Sequence, residues 1–307
     1  MVAVDYSGNR SVASDTIQTQ VLDKKALICQ IQFDDSLNDL SPNHLDASTF
    51  GDINYSSLAS MVKSGTKSAN FNSKPYAMLP YSVAWQDEIT ICTWMRWTSS
   101  SGAGNNNQRI FEFGNNENQT MYLTPNNGSE MRLVMRKGDK EQILGYGKKM
   151  PNSQWKHVAV TLKPEGDYVS AVIYIDGDTI ASTEEFTLKA SDIAPSLCFI
   201  GRSLSIDDPL VNGRYDDFRI YNYALNQEEI KKVMEDNGEI SEDLVEKEPE
   251  PDPIPGDVNE DGKVDINDVV AVINIMAGNT GTDEPTDPTE TDTPTEPEEA
   301  TAPSEEE

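Results

Sequence analysis

The chain has 307 residues, enough for two modest domains or one large sandwich with tails, and a formal charge of −29 from 24 basic and 53 acidic residues. The acidity is concentrated: residues 239–307 hold 23 acidic and 2 basic side chains, leaving 30 acidic and 22 basic over the first 238. With no basic stripe to offset this field the composition argues against nucleic acid as a partner, and no run approaches the roughly 20 apolar residues of a membrane span.

The start shows no basic stretch followed by an apolar one, the pattern of a secretory leader. Residues 2–14, VAVDYSGNRSVAS, and 16–21, TIQTQV, alternate apolar and polar positions around a Ser7-Gly8-Asn9 turn. They resemble the final hairpin of a fibronectin type III-like domain. A lone hairpin cannot bury its apolar face, so 1–22 is expected to be the remnant of such a domain, with the rest upstream. The alternative is a strand that joins the main domain.

Residues 26–237 hold short apolar runs separated by Gly, Asn, Asp, Ser and Pro. They include ALICQIQF (26–33), ITICTWMRW (89–97), RIFEFG (109–114), MRLVMRK (131–137), HVAVTL (157–162), YVSAVIYIDG (168–177), LCFIGRS (197–203) and DDFRIYNYAL (216–225). Their lengths and their β-branched and aromatic content predict strands. The evenly spaced turn signals predict an all-β antiparallel sandwich or jelly roll. Asp176-Gly177-Asp178 predicts a hairpin turn. One helix is expected near 227–236, with Asn226 as N-cap, Glu229 completing a capping box, Ile230 and Val233 facing the sandwich, and Gly238 ending it. Cys29, Cys92 and Cys198 lie in apolar runs with no zinc spacing and read as buried thiols.

The order of IQFDDSLNDLSPNHLDAS (31–48), SANFNSKPYAMLP (68–80), ITICTWMRW, WKHVAVTL (155–162), IYIDG (173–177), FIGRS (199–203) and YDDFRIYNYALNQEEI (215–230) resembles the LamG-like, concanavalin A-like jelly-roll family. The resemblance covers nearly all of a domain set at 23–238 and implies ligand binding or adhesion, usually to carbohydrate, without naming the sugar. Trp94 and Trp97 lie three apart and so face opposite sides of their strand. One is expected in the core; the other is a candidate for stacking on a sugar, with the polar loops near 101–108 and 203–213 as further ligand surfaces. His157 reads as a hydrogen-bonded structural residue.

Calcium gathers 6–8 oxygen ligands from flexible turns. The turn FDDSLND and the nearness of first and last strands in LamG-like domains imply Asp34, Asp39 and Asp217 as ligands of one calcium ion; the competing reading has these acids capping turns and pairing with arginines. Catalysis is not expected. Concanavalin A-like glucanases place an E-x-D-x-x-E or E-x-D-x-E run on one strand, with carboxylates about 5–5.5 Å apart for retention. No such run occurs in 26–237, and Glu112 and Glu117 do not form one.

A Glu/Pro linker fills 239–255. Then D-V-N-E-D-G-K-V-D-I-N-D, 257–268, carries the strongest local signal. Asp257, Asn259, Asp261, the Lys263 carbonyl, Asp265 and Asp268 take positions 1, 3, 5, 7, 9 and 12 of an EF-hand-type calcium loop, and Gly262 allows its sharp turn. A helix is expected at about 266–277, with Val269, Val272, Ile273 and Met276 on one face. The loop-then-helix with Asp at position 12 resembles one repeat of a dockerin, set at 256–279. That resemblance implies a cohesin-like partner met through Ile266, Asn267, Ile273 and Asn274. The hydroxyl and basic residues common in clostridial dockerins are absent. Residues 280–307, Thr, Pro, Glu and Asp with little else, are expected to be a disordered acidic tail.

The reading is thus a non-enzymatic, secreted, carbohydrate-binding or adhesion module tethered through calcium. The alternatives are a structural or protein–protein spacer that binds no sugar, and the C-terminal part of a glycoside hydrolase whose catalytic domain lies upstream.

Overall fold

In a computed structural model, residues 25–72, 74–99, 106–239, 258, 264 and 266–276 are described. The chain divides into two units, Met1–Lys247 and Glu248–Glu307. The expected hairpin at 1–22 and the tail at 280–307 lie outside the described residues.

Among its described residues the first unit has fifteen strands. In chain order they are β1 (Leu27–Ile31), β2 (Ser48–Phe50), β3 (Asn54–Ser56), β4 (Ser68–Asn70), β5 (Tyr76–Leu79), β6 (Ile89–Trp97), β7 (Phe111–Asn116), β8 (Gln119–Thr124), β9 (Arg132–Lys137), β10 (Lys140–Gly145), β11 (Trp155–Glu165), β12 (Tyr168–Ile175), β13 (Asp178–Phe186), β14 (Leu197–Ile200) and β15 (Gly213–Tyr221). Two short helices complete it, α1 (Ala190–Ile193) and α2 (Gln227–Glu235). The strands form two antiparallel sheets. One runs β13-β12-β11-β6-β15-β4-β3, with β1 also paired to β15; the other runs β10-β9-β8-β7-β14-β5-β2. This is the all-β sandwich that the sequence pattern predicts.

Period-two alternation makes the core. On β11, Val158, Val160 and Leu162 point between the sheets, and β6 sends Ile89, Ile91, Met95 and Trp97 the same way. Phe111, Phe113, Cys198 and Ile200 meet them from the other sheet. The β12–β13 hairpin closes on Asp176 and Gly177, both at positive φ (52° and 76°), the pair that a two-residue type I′ turn demands.

One end of the outer face of the eight-stranded sheet is covered by a helix. Helix α2 starts at Asn226, whose side chain accepts from the Glu228 and Glu229 amides while Glu229 reaches back to the Asn226 amide. It lays Ile230 and Val233 against Cys92, Ala159, Tyr174, Tyr221 and Tyr223. Burying each of those two aliphatic side chains contributes about 1.5–3 kcal/mol. All three cysteines are buried free thiols, and burial raises the pKa of each.

The described part of the second unit is α3 (Ile266–Met276), with Val258 and Val264 before it. No helix among the described residues is long and apolar enough to cross a membrane.

Candidate functional site

Trp97 is a core side chain. Its indole Nε1 donates to Gln108 Oε1 at 2.7 Å, and Gln108 Nε2 donates to the Leu210 carbonyl at 2.8 Å, so the buried ring anchors the 203–213 loop. Trp94 faces the opposite side, as three-residue spacing requires, yet it is only 9% exposed. Lys63, from the loop after β3, lies 4.7 Å over its ring, and His157 packs edge-on at 5.3 Å. Neither indole is open to solvent. His157 is buried, its Nδ1 has no partner, and burial pushes its pKa down to about 4, so the ring is neutral at pH 7.

The structure does not gather Asp34, Asp39 and Asp217 around one point; among the described residues no group of three metal-ligating side chains occurs. Each carboxylate is engaged elsewhere. Asp39 accepts from the Gln30, Ser41 and Leu45 amides and from the Ser41 hydroxyl, all at 2.7–2.9 Å. Asp34 accepts from the Thr66 and Lys67 amides. Asp217 pairs with Arg219 at 2.7 and 2.9 Å and accepts from Gln30 Nε2.

The feature best suited to a ligand lies on the outer face of the seven-stranded sheet. Here Phe199, Glu112, Tyr122, Val134 and Ile143 stand in one row across β14, β7, β8, β9 and β10. The 203–208 loop lies on this face because β7 carries Gly114. A Cβ there would come within 2.8 Å of Leu204 Cδ1 and 2.5 Å of the Gln119 carbonyl. Two adjoining cavities share Ser205 and Asp208. One, of 230 Å³, is lined by Tyr76, Arg202, Ile206 and Leu210 as well. The other, of 140 Å³, is lined by Arg109, Glu112, Glu117, Thr120, Tyr122, Arg136 and Ser203.

The two ends differ chemically. At the first, Tyr76 stacks on Phe50 at 4.7 Å and meets Phe199 edge-on, while the Arg202 guanidinium lies 4.6 Å over Tyr76 and donates to its hydroxyl. At the second, Arg109 donates to Glu112 at 2.9 Å and to Asp208 at 2.8 Å, with its guanidinium 3.9 Å over Tyr122. Glu112 also accepts from the Thr120 hydroxyl and the Leu204 amide, so both of its oxygens are occupied. An acceptor with both oxygens engaged in this way organises a site. Aromatic faces beside fixed polar groups are what a sugar, apolar on its C–H face and polar at its rim, requires.

In the second unit, Asp268 is buried, and its carboxylate accepts from the Val258 amide at 2.7 Å. Position 12 of the expected calcium loop thereby meets position 2, which closes the loop on itself. Asp257, Asn259, Asp261, Lys263 and Asp265 lie outside the described residues. An all-oxygen donor set with ends that meet fits calcium. Ile266, Val269, Val270, Val272 and Met276 are exposed along α3; for Asn267, Ile273 and Asn274 only the helical backbone is described.

Residues 71–231 match the family described as the concanavalin A-like lectin/glucanases superfamily, and residues 255–294 match the dockerin type I domain. No curated protein matches the chain. Among solved structures, Domain 4 of AbnA, a GH43 extracellular arabinanase from Geobacillus stearothermophilus, is similar with a TM-score of 0.57 at 20% identity, covering 69% of this chain and all of that one. The binding domain of Paraclostridial Mosquitocidal Protein 1 has a TM-score of 0.52 at 17% identity over 68% of this chain and 51% of that one. The botulinum neurotoxin serotype G binding domain has 0.52 at 16%, over 68% and 50%. The chain spans about half the length of the toxin domains it matches. It belongs to the concanavalin A-like lectin/glucanases superfamily and carries a dockerin type I domain behind the sandwich.

Proposed function

We propose that this superfamily member is a non-catalytic carbohydrate-binding module of a secreted glycan-degrading assembly, with the groove over β7, β8 and β14 as its sugar site. The carrying observation is the groove's pairing of a Phe50–Tyr76–Phe199 aromatic end with an Arg109–Glu112–Asp208 polar end. The likeness to an arabinanase domain solved with arabinotriose bears on the fold and supplies a first probe. Titrating the full-length chain with arabino-oligosaccharides, and pulling it down on a panel of insoluble polysaccharides, tests the reading. Phe50→Ala, which removes the exposed ring at the aromatic end, is expected to weaken binding about tenfold, as loss of a stacking face would. Retention on no polysaccharide would leave the spacer reading in its place.

The dockerin domain supports a tether to a cohesin-like scaffold outside the cell, made through Ile266, Asn267, Ile273 and Asn274. Calcium held by the 257–268 loop would order it. Amide shifts of residues 257–268 are expected to move on adding millimolar calcium, and Asp268→Asn to blunt that response. Unchanged shifts would remove calcium from the account.

A further inference from the structure

Helix α2 covers one end of the eight-stranded sheet's outer face; the other end presents a row of five side chains in register. They are Asn54 on β3, Asn70 on β4, Arg214 on β15, Arg96 on β6 and Trp155 on β11. The two arginines are directly opposed. Opposed residues of an antiparallel pair hold their Cβ atoms about 4.5–5.5 Å apart, and like charges there are destabilising. Burial first, and then the Arg96 charge, hold the Arg214 pKa below the usual guanidinium value.

No described residue relieves the pair. Arg109, Arg136 and Arg219 each have a carboxylate partner. Arg96 and Arg214 have neither an ion pair nor a hydrogen bond with any described residue. Arg214 Nη1 and the neighbouring Trp155 Nε1 are buried donors without acceptors. Buried donors are almost always satisfied. Two guanidiniums and an indole N–H side by side in a single row, without an acceptor among the described residues, call for an acceptor from outside.

We propose that Arg96 and Arg214 form an oxyanion site for an acidic saccharide, holding the carboxylate of a uronic acid or the oxygens of a sulfate ester between two guanidiniums. Each guanidinium presents a planar fork of donors that matches such a group. Trp155 flanks the anion, and the Asn70 and Asn54 amides continue the row as partners for hydroxyls. That the pair takes an oxyanion stands on the row alone; that a saccharide carries it rests on the carbohydrate-binding reading above. The formal charge of −29 opposes any non-specific attraction of polyanions, so affinity for one must come from this pair.

The experiment is calorimetric titration of the full-length chain at about 0.15 M salt, where fields are screened beyond about 8 Å. The probes are an oligogalacturonate, a sulfated oligosaccharide of the same length and a neutral arabino-oligosaccharide. At least one acidic probe is expected to bind, Arg96→Gln and Arg214→Gln each to weaken it about tenfold or more, and the double variant to abolish it. Neither substitution is expected to alter binding of the neutral probe. Preference for the carboxylate or the sulfate ester upholds the site and names the source. Binding of no acidic probe, or equal binding by the double variant with an unchanged circular dichroism spectrum, overturns it. If the neutral probe alone binds, the oxyanion site falls and the groove stands. If inorganic sulfate stabilises the wild type but no acidic saccharide binds, the saccharide assignment falls.

Discussion

Arg219 and Arg214 stand on the same strand and the same sheet face, and they have opposite surroundings. A bulge between Asp216 and Arg219, with Asp217 at a φ of 48°, brings both arginines outward although they lie an odd number of residues apart. Arg219 is fully buried at the end that α2 covers, and its fork meets Asp217 at 2.7 and 2.9 Å and Asp236, just past the helix, at 2.6 and 2.7 Å. Arg214, at the end away from α2, faces another arginine. A buried charge with every donor answered ties chain segments together and belongs to the architecture. A charge pair of one sign with none answered has no architectural use, and it marks where something from outside belongs.

The contrast is broken most directly at its saturated end. Arg219→Met leaves Asp217 and Asp236 buried without their cation and is expected to cost about 3–5 kcal/mol in urea unfolding at pH 7. A loss below about 1 kcal/mol would mean that Arg219 is no more structural than Arg214. Between the two lies Asp216, fully buried, with Oδ2 accepting from the Lys63 and Ser64 amides and Oδ1 unpartnered. Burial pushes its pKa from 3.8 up to about 7. The folded chain therefore keeps a proton that the unfolded chain releases, so this contribution is full below about pH 4 and is lost as pH rises through 7. Asp216→Asn is expected to match the wild type near pH 4 and to exceed it by about 2–4 kcal/mol at pH 8. His157 works in the other direction, its contribution lost as pH falls from 6.5 towards 4, so the difference between the two proteins isolates the aspartate. Parallel curves across this range would show that Asp216 titrates normally.

What was legible in the sequence was whatever a short window contains. Strands β6 and β11, the Asp176-Gly177 turn and the Asn226/Glu229 capping box follow from alternation and spacing alone. The 257–268 loop offers itself as a candidate because all of its proposed ligands lie within twelve residues. The three-residue strands β2, β3 and β4 were not, since so short a run shows no period. Strand β13 was legible only as the TIAS arm of the Asp176-Gly177 hairpin, because as a sheet edge it is largely exposed and polar. For the Trp pair, spacing identified opposite faces, but the cover over Trp94 comes from Lys63, 31 residues earlier. The 203–213 loop was named as a ligand surface from its polarity. The aromatic end supplied by Phe50 and Tyr76 and the polar end centred on Arg109 and Glu112 needed the sheet order, as did the alignment of Arg96 with Arg214.

The smallest effect separates the two arginines most sharply. Opposed like charges on neighbouring strands cost about 0.2–1 kcal/mol, so Arg96→Gln is expected to raise stability by that amount in a chloride buffer. Arg219→Met does the reverse towards the other end of the neighbouring strand β15. In sulfate at matched ionic strength the wild type should gain on Arg96→Gln, because an oxyanion between the guanidiniums turns repulsion into two charge-assisted contacts. Thermal unfolding of both proteins in the two salts reads this as a crossing of their order. If Arg96→Gln lowers stability in chloride, Arg96 and Arg214 are not repelling each other, and the open end of the sheet is held together by something other than an awaited anion.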